Sequence, residues 1–155
     1  MITYKKNIEC LSEEDTCLLA QKFASIVKKG DVIALFGTLG AGKSTFSRYF
    51  IQKLTQATEI PSPTFTLLQT YEANDFDIYH YDMYRLKSPE EAYELDIEEA
   101  FYSGVSLIEW PEKIMPLLPK NIWKITIETK GSTRIFTFET NTEEKAARAK
   151  ELFGE

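Results

Sequence analysis

The sequence predicts an α/β protein with three layers, in which a mixed sheet, with a parallel core and added antiparallel strands, is flanked by helices. The first observation is the apolar run at residues 32–36, which is typical of a buried strand and precedes a helical pattern at 43–54. The second is a pair of alternating segments around a short polar turn, which occurs twice, within residues 65–84 and 122–139. Together they predict parallel strands extended by hairpins.

A helix is predicted ahead of the first strand. Ser12 precedes three acidic residues, as an N-cap does, and apolar side chains then recur at helical spacing up to Gly30. After the helix at 43–54, residues 60–62 are expected to be extended, because prolines restrict the residues before them.

Two hairpins and a second parallel strand are predicted next. Residues 65–71 and 76–84 are joined by a turn too short for anything but an antiparallel connection. The apolar run 105–108 is assigned as the parallel partner of the first strand, and residues 122–128 pair with 134–139.

Three further helical segments complete the predicted elements. Ser88 and Pro89 begin one helix, residues 97–101 form a short second one, and Thr142 caps a strongly charged helix near the end of the sequence. At 155 residues the chain is long enough for one core and too short for two ordinary domains, so a single domain over 1–155 is expected.

Composition excludes several functional classes. No apolar run approaches the roughly 20 residues of a membrane span, and no secretion signal is visible at the N-terminus, so we expect a cytoplasmic protein with no membrane partner. A net charge of −6 argues against binding of nucleic acid by the chain alone. Cys10 and Cys17 lack metal-type spacing and are expected to be reduced and structural.

Residues 37–44 match the pattern G-x-x-x-x-G-K-[ST] in full and directly follow the first predicted strand. Glycines let the backbone fold around a phosphate, so that N–H groups and a helix N-terminus point at the anion. Lys43 then reaches the outer phosphates, and the Ser44 hydroxyl is suited to Mg²⁺. The sequence therefore predicts a P-loop NTPase fold. ATP is the default nucleotide, because the sequence has neither the guanine-reading motif nor the switch motif of GTPases.

Two carboxylates are candidates for chemistry on the nucleotide. Glu109 ends the second parallel strand, where a phosphate-loop enzyme needs an acid, and the alternative is an ordinary surface acid. Asp82 shares one predicted polar strand face with His80, and the alternatives are an ion pair with Arg85 or a solvated face.

Three other residues have two interpretations each. His80 is interpreted as a hydrogen-bonded structural residue in preference to a proton carrier. Thr64 either meets the γ-phosphate or Mg²⁺ from a switch segment or belongs to a plain proline-rich turn. Trp110 is either core packing or a sensor of the nucleotide state.

Four motifs recur in this chain in a recognisable order. They are G-T-L-G-A-G-K-S-T at 37–45, S-P-T-F-T-L at 62–67, H-Y-D-M-Y-R-L at 80–86 and I-E-W-P-E at 108–112. In order, spacing and chain length they resemble the TsaE family, also called YjeE, and the resemblance covers about residues 10–140. The combination is specific, because the last three motifs do not occur together in other phosphate-loop families.

The resemblance implies an ATPase that works with TsaB and TsaD in bacteria to make threonylcarbamoyladenosine at position 37 of tRNAs. TsaD carries the transfer chemistry, whereas TsaE binds the TsaB–TsaD heterodimer and hydrolyses ATP, with Mg²⁺, to reset the complex. Contact with tRNA is expected only through the complex, which agrees with the negative charge, and the chain alone is expected to be a monomer.

The resemblance also assigns roles to residues. Thr45 is expected to contact the α-phosphate. The nucleotide base is expected to lie near Glu13, Thr16 and Arg134. Most members of the family have Thr at the position of Ser44. The expected catalytic residues are Lys43, Asp82, Glu109 and Trp110, and those at the metal are Ser44 and Glu109. The expected nucleotide-binding residues are Gly37, Leu39, Gly40, Ala41, Gly42, Lys43, Ser44, Thr45, Thr64, Glu13, Thr16 and Arg134.

Two other functional classes stay open. One is a nucleotide-gated binding module in which ATP orders residues 62–65 for partner docking and hydrolysis is incidental. The other is a small-molecule kinase, although the four arginines and the short chain leave little for the arginine-rich lid of such enzymes.

Overall fold

The computed structural model describes residues 2–38 and 40–155. Within them, strands β1 to β7 span Tyr4–Cys10, Val32–Gly37, Leu68–Glu72, Asp77–Asp82, Val105–Glu109, Trp123–Lys130 and Thr133–Thr140. Helices α1 to α4 span Glu13–Ala24, Lys43–Leu54, Ile97–Ser103 and Glu143–Leu152, and two 3-10 segments span Pro89–Leu95 and Pro111–Leu117.

The strands form one mixed sheet in the order β1-β7-β6-β2-β5-β4-β3. β2 lies parallel between β5 and β6, and β4 lies parallel to β5. The remaining pairs, β3 with β4, β6 with β7 and β1 with β7, are antiparallel. The predicted fold class, a parallel core with antiparallel strands and flanking helices, is therefore confirmed.

Apolar side chains on both faces of the sheet explain the three layers. Ile33 and Leu107 belong to one core, beneath α1, α2 and α4, whereas their neighbours Val32 and Ile108 belong to a second core on the opposite face, beneath α3. Successive residues of a strand point to opposite faces, so a strand covered on both sides reads as a continuous apolar run. Phe23 is the centre of the first core, where its ring lies 5.1 Å from that of Trp123.

Several predicted boundaries are wrong. β1 was not expected, and neither was the 3-10 segment Pro111–Leu117. α1 ends at Ala24 rather than near Gly30. β3 begins only at Leu68, because Leu67 has a left-handed backbone with φ 69° and cannot continue a strand. No helix in the described part of the chain has the length and apolarity to cross a membrane.

A buried ion pair holds α4 to the segment before β2. Arg148 donates from Nη1 to Asp31 Oδ2 at 2.7 Å and from Nη2 to Asp31 Oδ1 at 3.0 Å. The same guanidinium donates to the Ile26 carbonyl and to Glu144. Burial alone would lower the pKa of Arg148, but the hydrogen bonds to Asp31 and Glu144 raise it above its usual value. The Asp31 carboxylate also accepts from the Lys28 N–H at 2.9 Å.

Candidate functional site

The carboxyl ends of three parallel strands meet at one edge of the sheet. The register pairs Leu35 of β2 with Glu109 of β5, and Glu109 with Asp82 of β4. Ligands of open α/β sheets bind outside this edge. The loop that follows β2 also begins here, so the glycine-rich motif and both candidate carboxylates lie together.

The loop between β2 and α2 requires glycine at particular positions. A Cβ atom on Gly37 would lie 2.8 Å from the backbone oxygen of Ile127, so a larger residue would collide with β6. Gly42 is the N-cap of α2, with φ 108°, and has no side chain to cap the helix. The first N–H groups of α2 therefore face the loop, which also contains Gly40 and Ala41, as an anion site. The prediction for Leu39 lies outside the described residues.

Lys43 lies at the start of α2 with its side chain turned back over the loop. Its Nζ donates to the Gly37 carbonyl at 2.7 Å and lies 3.5 Å from the centroid of the Trp110 ring. Burial lowers the pKa of Lys43, and the nearby carboxylates of Glu109, Glu112 and Asp82 partly oppose that shift. The ammonium thus lies between the loop and the acidic strand ends.

Glu109 is buried among polar partners rather than exposed. Its Oε1 accepts from the Ser44 hydroxyl at 3.4 Å, and its Oε2 lies 2.7 Å from His80 Nε2. Only 4% of its surface is accessible, so the alternative of an ordinary surface acid is wrong. The hydrogen-bonded interpretation of His80 agrees with this geometry.

Asp82 is buried and holds the segment that contains Thr64. Its Oδ2 accepts from Thr64 Oγ1 at 3.1 Å, and its Oδ1 accepts from the Tyr84 N–H at 3.1 Å. Arg85 instead places its guanidinium 5.6 Å from the ring centroid of Phe65, and no ion pair joins it to Asp82. The solvated face and the Arg85 pair are therefore both excluded. Thr64 lies next to the carboxylate and within a turn, so its interpretations as a switch residue and as part of a plain turn both stay open.

Trp110 has a left-handed backbone, with φ 58°. Such a conformation costs energy for a bulky residue and is found mainly where the surroundings enforce it. The ring packs against the second core, lies 4.8 Å from the ring of Tyr84 and carries the Lys43 ammonium on its face. Both interpretations of Trp110 thus keep support, because it contacts the core and the loop lysine.

A cavity of about 130 Å³ adjoins the phosphate loop, between α1, the start of α2 and β7. Its lining brings together the three residues expected near the base with two residues of the loop region; these are Glu13, Thr16, Arg134, Gly42 and Thr45. Sequence reasoning missed the contributions of Cys10, Ser12, Ser132 and Phe136. Two of these lie on strands β1 and β7, whose pairing has no local signal in the sequence.

Comparison with known proteins decides the family. The model of the family "Threonylcarbamoyl adenosine biosynthesis protein TsaE" matches residues 10–136. The chain belongs to the TsaE family. The resemblance seen in the four motifs is therefore confirmed.

Curated TsaE relatives cover most of the chain. The tRNA threonylcarbamoyladenosine biosynthesis protein TsaE of Rickettsia conorii is 47% identical over 137 residues, which are 87% of this chain and 78% of that protein. The Bacillus subtilis protein of the same name is 37% identical over 122 residues, 78% of this chain and 76% of the relative. The crystal structure of Bacillus subtilis YdiB superposes with a TM-score of 0.81 at 30% identity, covering 99% of this chain and 97% of that one.

Proposed function

We propose that this member of the TsaE family, which acts in the biosynthesis of tRNA threonylcarbamoyladenosine, is a cytoplasmic, magnesium-dependent ATPase that binds TsaB and TsaD. The observation that carries the proposal is the meeting of a phosphate loop with two buried carboxylates, Glu109 and Asp82, at the carboxyl edge of the parallel strands.

The fit to a nucleotide is supported by the loop and by the cavity beside it. Gly42 gives the left-handed backbone from which α2 begins, and the N–H groups at the N-terminus of α2 face the loop, where they would bind a phosphate chain. Lys43 carries a positive charge toward the outer phosphates. The cavity between Glu13 and Arg134 continues from the loop at Gly42 and Thr45, where a base attached to that phosphate chain would lie.

The fit to Mg²⁺ is supported by the chemistry of the donors. The Ser44 hydroxyl and the Glu109 carboxylate are oxygen ligands within 3.4 Å of one another. Within the described ranges, no group of three or more His, Cys, Asp or Glu side chains is arranged as a metal site. Magnesium sites that share substrate phosphates need only one or two protein ligands. Ser44 and Glu109 would hold the ion, which would supply positive charge beside the phosphates.

The protein side chains have separable tasks in hydrolysis. Lys43 balances negative charge on the outer phosphates, while Glu109 and Asp82 offer carboxylate oxygens that accept a hydrogen bond from a water molecule and orient it. Trp110 covers the Lys43 ammonium and helps to exclude bulk water from it.

The segment that carries Thr64 supports the proposal that the partner proteins control hydrolysis. Thr64 contacts Asp82, whereas the neighbouring Phe65 leaves 84% of its surface exposed. A change at the nucleotide site would therefore move an exposed aromatic ring. The net charge of −6 leaves the binding of tRNA to the partners.

The test measures ATP hydrolysis by the chain alone and with TsaB and TsaD, with and without Mg²⁺. Lys43→Ala serves as the blank, and Lys53→Ala, at an exposed position of the same helix, is the matched control. We expect low turnover alone that rises when both partners are added, no turnover in Lys43→Ala, and wild-type turnover in Lys53→Ala. High ATP turnover that does not change when TsaB and TsaD are added would indicate a function in another process. Unchanged ATP turnover in Lys43→Ala would contradict the assignment of the phosphate loop.

A further inference from the structure

His80 is a buried polar residue to which the proposed reaction gives no role. It lies on β4, two residues before Asp82, and only 2% of its surface is accessible. Its Nε2 lies 2.7 Å from Oε2 of Glu109, closer than any other hydrogen-bonding side chain around that carboxylate.

The Ser47 hydroxyl, a second possible donor to Glu109 Oε2, donates its proton to another acceptor. The Ser47 hydroxyl lies 3.4 Å from Oε2 but 2.8 Å from the carbonyl oxygen of Lys43. A serine hydroxyl has a single proton, and the shorter contact takes it. His80 is therefore the donor that holds Oε2.

The two ring nitrogens of His80 differ in their contacts. A carboxylate oxygen accepts, so Nε2 is the donor to Glu109. Nδ1 is buried and has no hydrogen-bond partner among the described residues. The contact to Glu109 is therefore the hydrogen bond that the ring makes within the described part of the chain.

We propose that His80 is a positioning residue for the ATPase reaction, acting through Glu109. By holding Oε2, it turns Oε1 toward Ser44, the face on which the proposed magnesium ion and water would lie. Without this donor, the carboxylate can rotate about its terminal torsion, and both oxygens lose their fixed direction. The inference rests on the proposed ATPase function and adds a residue to it.

The test compares two amides at position 80. The side-chain nitrogen of His80→Gln reaches the place of Nε2 and can still donate to Glu109. The side-chain nitrogen of His80→Asn reaches only the place of Nδ1 and cannot donate to Glu109. Asp77→Asn, an exposed change on the same strand, is the control, and thermal melting establishes that each variant is folded. Steady-state ATP hydrolysis is measured with TsaB and TsaD present.

The positioning role predicts a particular split of the kinetic constants. In His80→Asn, kcat falls by about 10-fold to 100-fold, the loss typical of removing a group that orients a ligand side chain, while KM for ATP changes less than about twofold. His80→Gln recovers most of kcat. When Glu109 is already Ala, His80→Asn has no further effect, because no side-chain oxygen is left for His80 to hold.

Three results would overturn the inference. They are wild-type kcat in folded His80→Asn, an equal loss of kcat in both amides, and a full additional loss in the Glu109→Ala background. If His80→Asn does not fold, His80→Gln decides by itself, and a folded variant with less than about a tenth of wild-type kcat contradicts the proposal.

A second readout separates this inference from the proposed function. A fluorescent ATP analogue is bound to each variant while Mg²⁺ is titrated. His80→Asn should raise the Mg²⁺ concentration at half-maximal binding by about 10-fold or more, and His80→Gln should not. If the wild-type chain hydrolyses no ATP under any condition, the ATPase proposal fails, and the Mg²⁺ titration alone decides whether His80 positions Glu109. Equal midpoints in the wild type and His80→Asn would then overturn the inference.

Discussion

Replacing Asp31 with alanine is expected to destabilise the fold by about 3 kcal/mol, because it leaves the buried Arg148 guanidinium without the more buried of its two carboxylate partners. Loss of one partner from a buried ion pair typically costs about 3 to 5 kcal/mol. The lower end applies here, since Glu144 still neutralises Arg148 from the other side. The Lys28 N–H also loses its acceptor.

The assay is urea unfolding followed by circular dichroism, with thermal melting as a second measure. For a chain of this size, about 3 kcal/mol corresponds to a fall in Tm of roughly 6 to 12 °C. Glu144→Gln is the matched control, because it removes a more exposed carboxylate from the same arginine and should cost about 1 kcal/mol or less.

If Asp31→Ala and Glu144→Gln lower the free energy of unfolding equally, burial does not distinguish the two carboxylates. A double-mutant cycle of Asp31→Ala with Arg148→Ala should give a coupling energy of at least about 1 kcal/mol, and additive losses would refute the pairing.

Three further outcomes are expected. Glu109→Gln should keep ATP binding at saturating Mg²⁺ but lower hydrolysis by about 100-fold or more and support a single round of tRNA modification; many rounds would show that hydrolysis is incidental. Burial lowers the pKa of Lys43 below its ordinary 10.5, so ATP affinity should decline at a lower pH than for an exposed lysine, which a series of Kd measurements against pH would detect. Because the folded chain holds this proton less tightly, the contribution of Lys43 to stability rises with pH between the lowered and ordinary values. Gly104→Ala should lower the free energy of unfolding in urea by about 1 to 3 kcal/mol, because its Cβ would lie 2.6 Å from the Tyr79 ring and 2.9 Å from the Asp77 carbonyl. Unchanged stability would show that β4 can shift at little cost in free energy.

Elements with their own end signals could be predicted from the sequence. The helix expected at 43–54 coincides with α2, since the glycine motif defines its start. The 105–108 run became β5, parallel to β2 as expected. The predicted first helix is longer than α1 because Ile26 and Val27 continue the apolar spacing. In the structure these two residues pack against the core from the turn that follows the helix.

Features that depend on distant pairing could not be predicted. β1 carries charged residues between its buried ones, so its sequence has no clear strand signal until β7 pairs with it. The residues of the candidate site likewise differ in whether the sequence alone could predict them. Glu109 and Asp82 could be found because each ends a strand, whereas the bond from His80 to Glu109 depends on β4 lying beside β5, and nothing local in the sequence indicates that neighbour.

The position of β1 at the edge of the sheet has a consequence for synthesis. Its register pairs Tyr4 with Thr140, so β1 is synthesised well before β7, the strand with which it pairs. β2 likewise lacks β6 until the chain has passed residue 130. Contacts so distant along the chain close late and make folding slow. Nascent chains that stop before β7 would therefore expose the edge of β6 and one face of the aromatic core, and they should be targets for chaperones and proteases.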